Sequence, residues 1–239
     1  MKGARVLGVI AARGGSKGIQ KKNLALLRGH PLIYYTIRAA QRSKRLTKVI
    51  LSSDDEEIIA VSEKLGVTAP FVRPSCLARD RSASVDVVVH ATRFVEVQEH
   101  RAYDFVLLLQ PTAPLRTEKD IDQAIALSEN SDADSVVSVA RVKEPHPVKM
   151  LTLQEGMLRP FLPDSWSERL ARQELDPVFY PNGAVYCVRR DVLLSGNTLW
   201  GQKTLAYIMP IERSVNIDTW RDLILAEGIL RELEEGCVR

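Results

Sequence analysis

The stretch Val6-Leu7-Gly8-Val9-Ile10-Ala11-Ala12-Arg13-Gly14-Gly15-Ser16-Lys17-Gly18 decides how the rest of the chain is read. Val6–Ala12 is apolar without a break. Strict alternation would mean a strand with one wet face; an unbroken run means one buried on both faces, as in a parallel sheet covered by helices. The run leads into a basic, glycine-rich turn. Lys2 and Arg5 precede it, as in a signal peptide, but it is short for one and ends in a loop unlike a cleavage site. The reading is a first β-strand in a cytoplasmic protein.

Outward from this stretch, strands and helices alternate. Pro31 opens a helical segment containing Leu32, Tyr35, Ile37 and Ala39. Lys48–Leu51 is a short strand, followed by a helix with Ile58, Ile59, Val61 and Leu65 on its apolar face and Gly66 at its end. Ser84–Glu99 reads as a helix and Phe105–Leu109 as a central strand. Thr117 is placed to cap the next helix with Asp120 as capping-box partner, and Val136–Ala140 is a further strand. Six prolines between 145 and 181 then break the pattern. We read 141–181 as an excursion, a hairpin arm suited to dimerisation. The doubly wound pattern resumes at Ala184–Val188 and Leu205–Met209, and a helix over about 219–235 closes the chain. The expectation is one α/β domain, 1–239, built as three layers around a mostly parallel sheet. Ligands of such sheets sit outside the carboxyl ends of the strands. There the sequence puts the loop 13–23, Ser52–Asp54 and Gln110–Arg116.

Composition narrows the function. With 239 residues, 45% hydrophobic and 26% charged, the chain is neither disordered nor fibrous. The net charge of +3 is too small to argue for nucleic acid, and aromatics are only 6%. Its distribution is uneven: twelve Lys and Arg and no acid precede Asp54, so the remainder sums to −9. That is either a solvated basic face or a site for anions. Cys76, Cys187 and Cys237 make neither a metal spacing nor a disulfide framework. His30, His90, His100 and His146 form no ligand pair, and no apolar run approaches a membrane span.

Four motifs carry the chemistry. Ala12-Arg13-Gly14-Gly15-Ser16-Lys17-Gly18, continuing to Lys21-Lys22-Asn23, suits a polyphosphate: glycines let backbone N–H groups approach, and cations add charge. It is neither GxxxxGK[ST] nor GxGxxG. Leu109-Gln110-Pro111-Thr112-Ala113-Pro114-Leu115-Arg116 is either a rigid turn or a ligand-facing one. Tyr180-Pro181-Asn182-Gly183-Ala184-Val185-Tyr186 has the Asn-Gly of a hairpin turn. In Val215-Asn216-Ile217-Asp218, an extended backbone puts residues 216 and 218 on one face, as two oxygen ligands for Mg²⁺; alternatively Asp218 caps the last helix.

Together, ARGGSKG-x₃-KN, RP-x₂-LA, LLQPTAPLRT, YPNGAVY and NID resemble the acylneuraminate cytidylyltransferases, the CMP-sialic acid synthetases, from about Val6 to Glu227. The Kdo cytidylyltransferases open with a different first loop and are less similar. The resemblance implies a Rossmann-like nucleotidyltransferase fold and a homodimer without nucleic-acid or membrane partners. It implies CMP transfer from CTP to the anomeric hydroxyl of a nonulosonic acid, with Mg²⁺ and release of pyrophosphate. Arg13, Ser16, Lys17 and Lys22, with backbone of Ala12 and Gly14, are then expected on the triphosphate. Asn23, Arg73, Ser82 and Ser84 are expected on the cytidine. Gln110, Lys149, Arg172, Asn182 and Tyr186 fall on the sugar side, and Leu199 and Trp200 near its acyl group. Asp218 matches a metal-binding aspartate, and Arg13, Lys22 and Asp218 are the catalytic set. This chain has Asn216 where the family usually has aspartate, which removes one charge from the metal site. The alternatives are a cytidylyltransferase for another acid sugar such as Kdo, or a paralogue that binds nucleotide without turnover.

Overall fold

The computed structural model describes residues 3–162 and 175–235. In chain order the strands begin with β1 (Val6–Ala11), β2 (Leu26–Leu27) and β3 (His30–Pro31), and the first helix is α1 (Leu32–Arg42). Then come β4 (Lys48–Ser52), α2 (Glu56–Lys64), α3 (Ser84–Glu99), β5 (Phe105–Leu109), α4 (Glu118–Glu129) and β6 (Ser135–Arg141). The excursion holds β7 (Leu151–Gln154) and β8 (Met157–Pro160). The chain closes with β9 (Phe179–Arg189), α5 (Arg190–Gly196), β10 (Thr204–Ile208) and α6 (Trp220–Glu234).

The main sheet has the order β10-β6-β9-β5-β1-β4. Strand β1 is central and parallel to both neighbours, with Val9 opposite Ile50 of β4 and Leu108 of β5. Its side chains alternate between two cores. Val6 and Ile10 join Leu107 and Leu109 under α1, α2 and α4, through Ile33, Ile37, Ile58, Ile121 and Ile125. Leu7 and Val9 join Val106 and Leu108 under α3 and α5, through Val88, Ala91, Val95 and Leu193. All four β1 side chains are fully buried, each contributing about 1.5–3 kcal/mol of transfer free energy. Three layers and the unbroken apolar runs of β1 and β5 thus share one cause. Thr117 and Asp120 form the capping box expected at the start of α4.

One strand departs from the reading. β9 is antiparallel to both β5 and β6, so the doubly wound pattern does not simply resume at Ala184. Asn182-Gly183 is not a hairpin turn either, because both residues lie inside β9. Gly183 has φ +76°, and the β6–β9 register shifts between Val137 and Val139. The residue types of a tight turn here serve an irregularity within the ladder, where a left-handed residue is also wanted.

Within 141–181, β7 and β8 form a separate antiparallel ribbon closed by Glu155-Gly156, both with positive φ. Leu153 and Leu158 on it are 71% and 66% exposed. No helix among the described residues is long and apolar enough to cross a membrane.

The strand order reverses at β1: β4 lies on one side and β5 on the other. The crevice at such a switch point opens between the loops that follow β1 and β5.

Candidate active site

A cavity of about 510 Å³ occupies that crevice, with the loop after β1 as one wall. Arg13, Ser16, Lys17, Gly18, Lys22 and Asn23 line it; Gln110, Pro111 and Thr112 face them from the end of β5. Arg73, Arg79, Asp80, Ser82 and Ser84 close it from the segment leading into α3, and Asp218 from the segment before α6. Arg13 and Asp218, far apart in sequence, therefore share one space.

The loop is held from behind. Gly14 N–H donates to Asp54 Oδ1 at 3.1 Å, and Asn23 Nδ2 donates to the Arg13 carbonyl at 2.9 Å. Ile19 is fully buried with Ile217, Leu223 and Ala226, so α6 packs onto the loop through a small core of its own. That contact brings Gly18 against residue 218: any Cβ at Gly18 would run into the Asp218 carbonyl oxygen. On the far side, Ile217 N–H donates to the Thr112 carbonyl at 2.7 Å. Residues 217–218 are thus strung between the two loops of the switch point.

Side chains complete the junction. Lys22 Nζ, its side chain only 15% exposed, donates to Ile217 O and to Asp218 Oδ1, each at 2.8 Å. Asp218 is 70% exposed and does not cap α6. Thr219 is the cap, with Asp222 as its reciprocal partner. The cavity thus has the exposed carboxylate of Asp218 on one wall, with Arg13, Lys17, Arg73 and Arg79 and a second carboxylate, Asp80, around the rest.

Arg13 and Lys17 are not bare. Asp80 bridges them, Oδ1 to Arg13 Nη1 at 2.7 Å and Oδ2 to Lys17 Nζ at 2.8 Å. These two cations hold the Asp80 carboxyl below the ordinary carboxylate range. Arg73 is 5% exposed and donates to the side chain and carbonyl of Ser52; its pKa falls to about 10, chiefly through burial. Ser82 Oγ donates to the Cys76 carbonyl. Ser84 begins α3, whose first turn points at the cavity.

The remaining expected residues are placed as follows. Ala12 is packed into the core, and Ala11 faces the cavity in its stead. Asn182 is buried, its Nδ2 donating to Ser214 Oγ and its Oδ1 accepting from Ser138 Oγ and Ala184 N–H. It braces the Gly183 backbone, where a Cβ would lie 2.7 Å from Gln110 Oε1 and 3.5 Å from Asn216 Nδ2. Asn216 is thereby a neighbour of Gln110. Tyr186 lies on β9 edge-on to Trp200, ring centres 6.3 Å apart, and burial raises its hydroxyl pKa. Leu199 is packed under α3 and α5. Lys149 ends a short helical turn, Pro147–Lys149, at the base of the ribbon. Neither Lys149 nor Tyr186 is among the described residues lining the cavity. Arg172 and Cys237 lie outside the described residues.

Sequence reasoning missed Asp80 and Arg79, while Asp54 stands at the strand end where the sequence put it, holding Gly14. Asp80 had a faint signal, an acid between Arg79 and Arg81 just after the RP-x₂-LA motif. Arg116 ends the motif that reads as either a rigid turn or a ligand-facing one, and the structure gives it the first role. It is 3% exposed and donates to the carbonyls of Gln110 and Ala184 and to Thr36 Oγ1, clamping the turn after β5 to β9. Burial lowers its pKa to about 10.

The sequence pattern of the cytidylyltransferases matches residues 7–160. The chain belongs to the cytidylyltransferase family. Among cytidylyltransferase relatives, the CMP-N,N'-diacetyllegionaminic acid synthase of Legionella pneumophila is 30% identical over 236 residues, covering 98% of this chain and 100% of that one. The pseudaminic acid cytidylyltransferase of Campylobacter jejuni is 31% identical over 228 residues, 95% and 97% of the two chains. The N-acylneuraminate cytidylyltransferase of Escherichia coli is 32% identical over 223 residues, 93% of this chain but 51% of that protein. The chain thus spans about half the length of that enzyme. A CMP:2-keto-3-deoxy-manno-octonic acid synthetase solved with CTP superposes with a TM-score of 0.72 at 16% identity, over 96% of this chain and 100% of that one. It shares the fold.

Proposed function

We propose that this chain transfers CMP from CTP to the anomeric hydroxyl of a nonulosonic acid and releases pyrophosphate. One observation carries the reading. The cations of the loop after β1 and the exposed carboxylate of Asp218 line a single cavity at the switch point. The names of the relatives, synthases and cytidylyltransferases for legionaminic, pseudaminic and N-acylneuraminic acids, supply the class of acceptor.

In the reaction the anomeric oxygen bonds to the α-phosphorus, the bond from that phosphorus to the α,β-bridging oxygen breaks, and pyrophosphate departs with its electrons. The hydroxyl proton is released. Positioning and charge neutralisation supply most of the barrier reduction in such transfers. Arg13, Lys17 and Lys22, with Ser16 and backbone N–H groups of the glycine loop, hold the triphosphate. Asn23, Arg73, Ser82 and Ser84 hold the cytidine. Gln110 meets the sugar, with Lys149, Arg172 and Tyr186 on the side of its carboxylate.

Magnesium fits the donors present. No group of three or more His, Cys, Asp or Glu is poised for a metal among the described residues. Asp218 instead offers one exposed carboxylate beside a space sized for phosphates, and Mg²⁺ favours one or two carboxylates completed by substrate oxygens and water. Asp218, with the Asn216 oxygen, would hold it; when bound, it neutralises charge on the phosphates. We place the reaction in the cytoplasm, where CTP is available. We also assign the ribbon of β7 and β8 to a homodimer interface, because Leu153 and Leu158 expose apolar surface on a protruding element.

The test is pyrophosphate release from CTP and Mg²⁺ with N-acetylneuraminate, legionaminate, pseudaminate or Kdo as acceptor. Release with any nonulosonate supports the proposal, and Arg13→Ala should abolish it while leaving the melting temperature unchanged. Release with Kdo alone, or with no acceptor, overturns it.

A further inference from the structure

Arg13 and Lys17 are both occupied by one carboxylate of this chain. We propose that Asp80 is an internal stand-in for phosphate, holding these cations between turnovers and competing with pyrophosphate so that the product leaves. The inference rests on the reading of this cavity as the triphosphate site. Asp80 engages each cation with a different oxygen, at 2.7 and 2.8 Å. A bridging phosphate would use the same arrangement, two oxygens on two cations. Asp80 follows the short turn Ser75–Leu77 and precedes α3, and its side chain is 45% exposed. Exposed ion pairs are weak in water, so a polyphosphate can displace it. The carboxylate and a phosphate cannot share the two cations without like-charge repulsion.

The consequence falls unequally on substrate and product. CTP is also held through its base and ribose, so it bears the competition. Pyrophosphate has only its charge, so it is the ligand Asp80 expels. The carboxylate is thus a specificity element, weakening every anion that binds through Arg13 and Lys17 alone.

The experiment compares the wild type with Asp80→Asn, which keeps the shape and removes the charge. Calorimetry measures the dissociation constants of CTP, pyrophosphate and tripolyphosphate; steady-state kinetics measures product inhibition. The control is Asp132→Asn. It removes the same charge from a pair with Lys203 (2.5 Å) before β6 and β10, at the opposite edge of the sheet. The expected result is about three- to tenfold tighter binding of pyrophosphate and tripolyphosphate in Asp80→Asn. Product inhibition should strengthen to match, with no change in the control. Weaker binding of these anions, unchanged binding, or an equal change in the control overturns the inference. Tripolyphosphate carries no base, so it separates the two readings. Tighter tripolyphosphate binding in a protein that ignores CTP keeps the role of Asp80 and removes the nucleotide assignment. A wild type that binds none of the three overturns both.

Discussion

Lys22 reaches across 196 residues of sequence to hold Asp218, its ammonium 2.8 Å from the carboxylate and 2.8 Å from the preceding carbonyl. The loop after β1 and the segment before α6 are joined at this point, and the proposed metal carboxylate takes its position from it. Lys22→Met keeps most of the buried stem and removes both charge-assisted bonds. Each such bond contributes about 1.5–3 kcal/mol. We expect kcat/KM for CTP to fall by about 10- to 150-fold, measured by pyrophosphate release, together with a lower melting temperature, because the same bonds tie the loop to the segment before α6.

Gly18 gives a sharper test of the same junction. Its Cα faces the Asp218 carbonyl so closely that a methyl group forces the backbone at 218 to move. The segment cannot retreat freely, because Ile217 is fully buried and its N–H is bonded to Thr112. Gly18→Ala is therefore expected to lower kcat by about 10²-fold or more, as misplacement of about 1 Å does elsewhere. Gly228, on α6 away from the cavity, has open space at its Cβ position, so Gly228→Ala should retain most of the activity. Similar rates for the two variants would show that the close approach at Gly18 does not position Asp218.

Much of this was legible in the sequence because the signals are local. The apolar runs of β1 and β5 are buried on both faces, and only that environment tolerates such runs. Thr117 and Asp120 cap α4 through atoms three residues apart, so the motif and the structure coincide. The direction of β9 was not legible, since side-chain period is the same in parallel and antiparallel strands. Asn182-Gly183 misled because a turn and a ladder irregularity both call for a left-handed residue. Asp80 was hidden for a different reason. Its pair with Arg13 spans 67 residues and exists only because two loops converge at the switch point.

The chain has an amide at Asn216 beside Gln110 and Gly183. An amide oxygen is a weaker ligand for a hard cation than a carboxylate, and it adds no charge. Asn216→Asp should therefore lower the Mg²⁺ concentration for half-maximal rate, by about tenfold if the new carboxylate contributes about 1.4 kcal/mol. Initial rates across a magnesium titration measure this directly. An unchanged half-maximal concentration would mean that position 216 does not contact the metal.

Asp120 ties the scaffold of the site to pH. It lies 1% exposed at the start of α4, with Arg213 Nη2 at 2.9 Å and a second contact from Nη1. Burial alone would raise its pKa, but the Arg213 bonds and the Thr117 N–H outweigh it, and the carboxyl titrates below the usual range. A depressed folded-state pKa means the unfolded chain binds the proton first. The stabilisation is therefore complete above the ordinary aspartate pKa of about 3.9 and is lost as pH falls through the folded value. Asp120→Asn leaves Arg213, itself half-buried, without its counter-charge, and should cost about 3–5 kcal/mol at neutral pH. Urea midpoints measured from pH 7 downward should converge between the wild type and the variant as the carboxyl protonates. A constant difference across that range would show that the stabilisation comes from packing rather than from charge.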